Sequence, residues 1–372
     1  MDPVTLRVAT LYGPDNWFTK PMVAFTERVE ERTGGKVKFE YYFAGSLVPA
    51  KDLASGLGSG LFEFGYVLGA YDPVRFPVDK WLGSLALPTD PNPVRETVLN
   101  ALANMEWSTD LEAHRSELLE ANIFPLMPSL PLTGPFGILC KEDNSTLESL
   151  QGKRIRVGGD TWTKEAQNLG MTPVSLPITE VYQAFQSGVI DCWMGGHNDI
   201  GALGFWDHGK YYNFAGLTGY AQSIFGFNKD VWEDFPQEVK DIIWEETPRF
   251  AAETVMWVMN AQVDSANKGI AANAHPVVPD AAMRAKIEAY HDQVRATAAT
   301  EAPASVTEPA AAIAELTAIR EKWRQASIDR LGFAEDYASW AEFAQKTKDS
   351  PPDFAPLTAA FAEIIDQLRT KE

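Results

Sequence analysis

The run Gly152-Lys153-Arg154-Ile155-Arg156-Val157 sets two guanidiniums on alternate positions of a strand-like segment, with Ile155 and Val157 on the opposite face. In a sheet covered on both sides, at least one of those arginines points where a core belongs. A charge buried there is costly unless it meets an anion. A guanidinium meets a carboxylate through two parallel hydrogen bonds, which are strong when desolvated. Arg156 stands nearer the C-terminal end of the strand, where open α/β sheets hold their ligands, and is the candidate to grip an external carboxylate. An internal ion pair is the alternative. Arg154 is expected near the surface or paired with an acid such as Glu148.

Aromatic residues gather at neighbouring strand ends. Trp17 and Phe18 follow the first strand, Tyr66 and Tyr71 flank the apolar strand in GYVLGAY, Trp162 follows the arginine strand, and Trp193 follows VIDC. Core packing accounts for any one of these rings. The same placement at four strand ends argues for the walls of a ligand pocket.

Catalysis finds little support. The sequence has no G-x-S-x-G elbow, no P-loop, no G-x-G-x-x-G after a strand and no H-E-x-x-H, and its five histidines leave few general bases for neutral pH. Asp191, His197, Asp199 and His208 come nearest to a metal cluster. Their spacing fits no zinc or calcium pattern, and His197 and Asp199 read as loop residues. No cofactor is expected.

These side chains need a scaffold large enough to position them. At 372 residues the chain exceeds what one core usually organises, so two domains are expected, and 45% hydrophobic with 22% charged residues excludes wholesale disorder. A net charge of −19 argues against nucleic acid and anionic membranes, so an anionic ligand requires a local positive site. No run of about 18 apolar residues is present, so no direct membrane insertion is expected. The opening Met1-Asp2-Pro3 enters a strand with no basic and apolar leader, which reads as a cytoplasmic protein or one whose export signal has been removed. Cys140 and Cys192 are read as a disulfide or as two small buried hydrophobes, and both readings stand.

The first third alternates strand and helix signals in the α/β manner. LRVATLY, VKFEYYF and 62–68 read as strands, 21–32 as a helix, and 94–122 as one long helix. IFPLMPSL opens a second unit, and the pattern over 123–196 reads as an inserted α/β lobe. QSIFGFNKDVW then leads into a helix from Pro236 to Ala266, which at roughly 30 residues would span about 45 Å, enough to cross two lobes. Residues 297–314 suggest a loosely packed connection. The remainder is helical in pattern, with Trp323, Leu331, Phe333, Trp340 and Phe343 as apolar anchors.

At this point a resemblance enters. The run LQGKRIRVGGDTWTKEAQNLGMTPVSLPITEVYQAFQSGVIDC is similar to the signature of solute receptors of the tripartite ATP-independent periplasmic (TRAP) transporters, of the DctP type. That signature reads L-x-G-x-x-I-R-V, then L-G-x-x-P-V, then E-x-Y-x-A-L-Q-x-G-V-x-D. It appears here through Leu150, Gly152, Ile155, Arg156 and Val157, then Leu169, Gly170, Pro173 and Val174, then Glu180, Tyr182, Ala184, Gln186, Gly188 and Asp191. TGGKVKFEYYFAGSLVPAKDL, LFEFGYVLGAYDPVRFP and GFNKDVWEDFPQEVKDII resemble further family segments, so the likeness covers residues 4 to 260 in order.

The resemblance implies a two-lobed α/β fold like type II periplasmic binding proteins, with hinge strands, a lobe-spanning helix and an extended helical C-terminus. On that pattern 1–131 begins lobe I, 132–222 forms lobe II, 223–266 returns to lobe I and supplies the spanning helix, and 267–372 is a helical region packing on both. It also implies a periplasmic or otherwise extracytoplasmic receptor, not an enzyme, that closes on a small organic acid and delivers it to membrane-embedded permease subunits. The arginine of the family's I-R-V motif usually grips the ligand carboxylate, and Arg156 takes that position.

Departures bear on the ligand. Where many members carry a second arginine, this chain has Phe136 and Gly137. Where sialic acid binders carry asparagine it has Gly195, and Met194 replaces the glutamate of the keto-acid pattern D-x-x-E-W. Gln222 falls near a position that contacts ligand in some relatives. One arginine among many rings suggests a monocarboxylate with an apolar or aromatic body, or a compact zwitterion held by cation–π contact. The expected ligand contacts are Arg156, Trp17, Tyr66, Tyr71, Phe136, Trp162, Trp193 and Gln222. The rivals are a lyase or transferase working on a carboxylate in the same cleft, which a missing acid/base pair near Arg156 argues against, and a sensory receptor without a permease.

Overall fold

Alternating apolar residues decide which face each strand buries, and here they build two sheets. The computed structural model describes residues 2–131, 133–219, 222–347 and 352–372, without the side chain of Gln222. In chain order the strands are β1 (Val4–Ala9), β2 (Val37–Tyr42), β3 (Phe64–Val67), β4 (Ile123–Pro131), β5 (Phe136–Cys140), β6 (Arg154–Val157), β7 (Thr172–Ser175), β8 (Cys192–Gly195), β9 (Tyr211–Leu217), β10 (Gln222–Asn228) and β11 (His275–Val277). The first sheet has the order β2-β1-β3-β10-β4 and the second β11-β9-β5-β8-β6-β7.

β5 shows how period two makes the second lobe. Ile138 and Cys140 face one core, with Ile155, Val157, Ala166 and Met283. Leu139 faces the other, with Trp193, Phe205 and Tyr212. The register sets Cys140 opposite Cys192 on β8. The two are joined as a disulfide, their Cα atoms 4.1 Å apart, which decides between the two readings of these cysteines.

The structure departs from the sequence reading in several places. β4 does not open the second unit but closes the edge of the first sheet, pairing antiparallel with β10. The expected helix over 94–122 is two helices, Pro93–Asp110 and Glu112–Glu120, separated by Leu111 in extended backbone. The stretch 267–372 is not helical throughout: it contributes β11, parallel to β9, and the helix Ala281–Thr297, which buries Met283 and Ile287 under the second sheet. Within 297–314, Ala298, Val306 and Ala312 are buried in the first lobe's core and a helix begins at Pro309, so that connection packs tightly.

Two chain crossings between the sheets lie side by side. A Cβ on Gly219 would stand 2.2 Å from the Gly134 carbonyl oxygen, so this close approach requires glycine. Asn100, buried on the helix Pro93–Asp110, donates its amide to the carbonyls of Gly219 at 2.6 Å and Thr133 at 3.3 Å, tying both crossings to the first lobe. The third link is the helix Gln237–Ala271, whose 35 residues span roughly 52 Å. It stacks Phe250 on Phe25 of the first lobe, and at its far end Ser265 accepts hydrogen bonds from Trp206 Nε1 at 3.0 Å and from the Gly201 N–H at 3.1 Å.

Candidate ligand-binding site

The alternation that raised the question of two arginines resolves into two different environments. Arg154 is exposed at the start of β6, and its guanidinium and backbone N–H all reach Asp191, not Glu148. Those hydrogen bonds hold the Asp191 carboxyl below its usual range. Arg156, 5% exposed, turns inward. Its Nε donates to the Leu176 carbonyl at 2.8 Å and its Nη2 lies 3.4 Å from the Tyr71 hydroxyl. Among the described residues no carboxylate lies within ion-pair distance of it, so the internal-pair alternative fails. Two protein contacts orient the guanidinium, and the rest of its donors face a cavity of about 80 Å3.

That cavity brings together Arg156, Trp17, Tyr66, Tyr71, Phe136, Trp162 and Trp193 from both lobes. The side chain of Gln222 lies outside the described residues, while its neighbour Ser223 lines the wall. Each ring is held by a local contact. Phe136 stacks on Trp162 with centroids 5.1 Å apart, and Trp162 Nε1 donates to the Thr218 carbonyl at a chain crossing. Phe18 packs between Trp17 and Tyr66, and the Tyr66 hydroxyl accepts the Leu11 N–H at 3.0 Å. The Tyr71 hydroxyl accepts the N–H of Ile178 from the opposite lobe at 3.1 Å. The lobes also meet through Lys80 and Asp160.

Glycines at the departures are explained by what fills their place. A Cβ at Gly137 would stand 2.4 Å from the Tyr212 hydroxyl, so Tyr212 occupies the space a side chain would need. A Cβ at Gly195 would stand 2.1 Å from Trp193 Cζ2, so the indole excludes any side chain there. Gly158 makes room for the guanidinium itself, its would-be Cβ lying 3.2 Å from Arg156 Nη2.

Among the lining residues the sequence reading missed are Tyr12, Asn198 and Asp199. His197 and Asp199 are not loop residues but open the helix His197–Ala202, just past the carboxyl end of β8. The strand-end rule that selected Trp193, which itself lies inside β8, would have selected Asp199. Burial pushes the Asp199 carboxyl up to about 7, with Arg156 pulling it back. Burial likewise drives the His197 imidazole down to about 4. Among the described residues no three of His, Cys, Asp and Glu converge as a metal site would require.

Comparisons with known proteins agree with this architecture. Residues 141–299 match the family model DctP, bacterial extracellular solute-binding protein, family 7. A solute-binding protein of Sulfitobacter sp. (strain NAS-14.1) is 28% identical over 187 residues, 50% of this chain and 54% of that protein. A monocarboxylate 2-oxoacid-binding periplasmic protein of Nostoc sp. (strain PCC 7120) is 24% identical over 225 residues, 58% of this chain and 57% of that one. The chain thus spans about half the length of the curated relatives it matches. A solved TRAP solute-binding protein from an unidentified marine microbe, specific for aromatic acid ligands and holding 3-hydroxybenzoate, is similar with a TM-score of 0.75 at 20% identity, covering 87% of this chain and 99% of that one. The likeness shows the fold to be the two-lobed α/β fold of those receptors. Through residues 141–299, the chain is similar to the DctP family of bacterial extracellular solute-binding proteins.

Proposed function

We propose that the protein is an extracytoplasmic receptor that closes on one small organic acid, a monocarboxylate with an apolar or aromatic body, and delivers it to a TRAP membrane permease. Arg156 carries the reading: a nearly buried guanidinium, oriented by Leu176 and Tyr71, with no carboxylate partner among the described residues and with aromatic rings from both lobes around it. Such a charge is stabilised when an anion arrives with the right geometry. The 2-oxoacids and aromatic acids named for two of its relatives share only the carboxylate and a compact body. Tyr71–Ile178 and Lys80–Asp160 join the lobes across the cleft, so a ligand bound there favours the closed arrangement to the extent that it binds it more tightly than an open one. An extracytoplasmic setting suits the Cys140–Cys192 disulfide, which persists in oxidising compartments.

The test is a thermal-shift panel of small acids, each matched with its neutral amide. An acid present at 100 times its dissociation constant adds about 2.7 kcal/mol of stability, while its amide adds little. A broad panel in which no acid outperforms its amide overturns the reading.

A second reading, an enzyme acting on the same acid, gains one observation: Asp199, held near 7, shares the cavity with Arg156 and is the kind of group a general base requires. Recovery of the bound acid chemically unchanged after prolonged incubation excludes it. Conversion of the acid establishes it.

A further inference from the structure

We infer that the cavity selects, among small acids, those carrying an N–H or O–H donor on the side away from the carboxylate, and that Asp199 with Asn198 is the acceptor pair that reads it. The inference rests on Arg156 as the carboxylate anchor and names what the opposite wall recognises.

The cavity is polarised by the fold. Arg156 reaches it from β6, and the neighbouring β8 turns directly into the helix whose first turn carries Asn198 and Asp199. The two charges share one cavity without forming an ion pair, so each side keeps its own binding capacity. Asp199 Oδ1 accepts the Asn198 amide at 3.2 Å, and no donor among the described residues reaches its other oxygen. Asn198 is fully buried, and its Oδ1 has no hydrogen-bond partner among the described residues. Asn198 Oδ1 and the second Asp199 oxygen therefore lack a donor among the described residues.

Such a pair discriminates in both directions. It repels a second carboxylate, so the anionic end of a ligand goes to Arg156 and dicarboxylates are disfavoured. A ligand that brings an N–H or O–H satisfies the acceptors, whereas an isostere without one leaves them desolvated and unpaired, the situation in which hydrogen-bonding sites discriminate most strongly. Arg156 and the phenols of Tyr12 and Tyr212 are the ionisable groups that interact electrostatically with Asp199. Burial holds the Asp199 carboxyl near 7, so above that pH both of its oxygens accept.

Calorimetry at pH 8 with two isosteric pairs tests the inference: pyroglutamate against its ring-oxygen analogue 5-oxotetrahydrofuran-2-carboxylate, and 3-hydroxybenzoate against 3-fluorobenzoate. The donor-bearing member of at least one pair is expected to bind about tenfold or more tightly. Asp199→Leu, checked for folding by circular dichroism, should bring the two members within about twofold by weakening the donor-bearing acid alone. If Asp199→Leu does not fold, Asp199→Asn replaces it, and the comparison within the wild type still decides. Equal affinities within both pairs, or a preference that survives removal of Asp199, overturns the inference while leaving the carboxylate reading intact. Failure of all four acids to bind overturns the inference, and binding that ignores Arg156→Ala overturns both.

Discussion

Replacing Gly195 by alanine sets a methyl group against the Trp193 indole. The added Cβ would lie 2.1 Å from Cζ2 and 2.6 Å from Cη2, where ordinary contact begins at 3.4 Å, so the ring must retreat by about 1.3 Å. Trp193 is fully buried with Phe205 packed on it at 5.3 Å, so retreat on that side displaces another ring. Overpacking of this kind costs about 1–3 kcal/mol. Chemical denaturation should show that loss for Gly195→Ala. In a Trp193→Leu background, where the six-membered ring is gone, the same change should cost no more than about 0.5 kcal/mol, a coupling of roughly 0.5–3 kcal/mol. Costs that simply add across the two backgrounds would refute the reasoning. The same clash explains why no asparagine stands at this position.

Three further outcomes follow from particular contacts. Gly158→Ala presses on the Arg156 guanidinium and should weaken binding of the best acid by roughly tenfold in calorimetry with little change in Tm; unaltered affinity contradicts the role given to this glycine. Cys140→Ser with Cys192→Ser opens a loop of sequence separation 52 and should lower unfolding free energy by about 2–4 kcal/mol in denaturant titrations, with no loss meaning that the crosslink constrains nothing. Burial raises the Asp199 pKa from 3.8 to about 7, so the folded state holds that proton more tightly than the unfolded chain. Between those values the wild type should lose stability relative to Asp199→Asn as pH rises, the difference levelling off on either side; a flat difference across that window contradicts the shift.

Much of the cavity lining was legible in the sequence. Arg156 was readable because alternation in KRIRV and proximity to a strand end are both local signals, and the rings because strand ends recur. Asp199 was not, because its role depends on β8 ending at Gly195 and the chain re-entering a helix at once, a turn with no proline or capping box to announce it. Sheet membership was illegible for a different reason. β4 is buried along its whole length, and its apolar run looks the same in either lobe; only its partner β10, distant in sequence, assigns it. β11 is three residues with a central proline, too short for any periodicity to register. Gly137 and Gly195 read as missing polar groups, whereas space-filling by Tyr212 and Trp193 is visible only in three dimensions.

The central claim is that Arg156 holds the carboxylate of the ligand. Calorimetry of the tightest acid in the panel against wild type and Arg156→Ala measures it directly, because the guanidinium is nearly buried and has no carboxylate partner among the described residues. An affinity loss of about 2–5 kcal/mol is expected, with the fold unchanged by circular dichroism. A dissociation constant that does not move would contradict it.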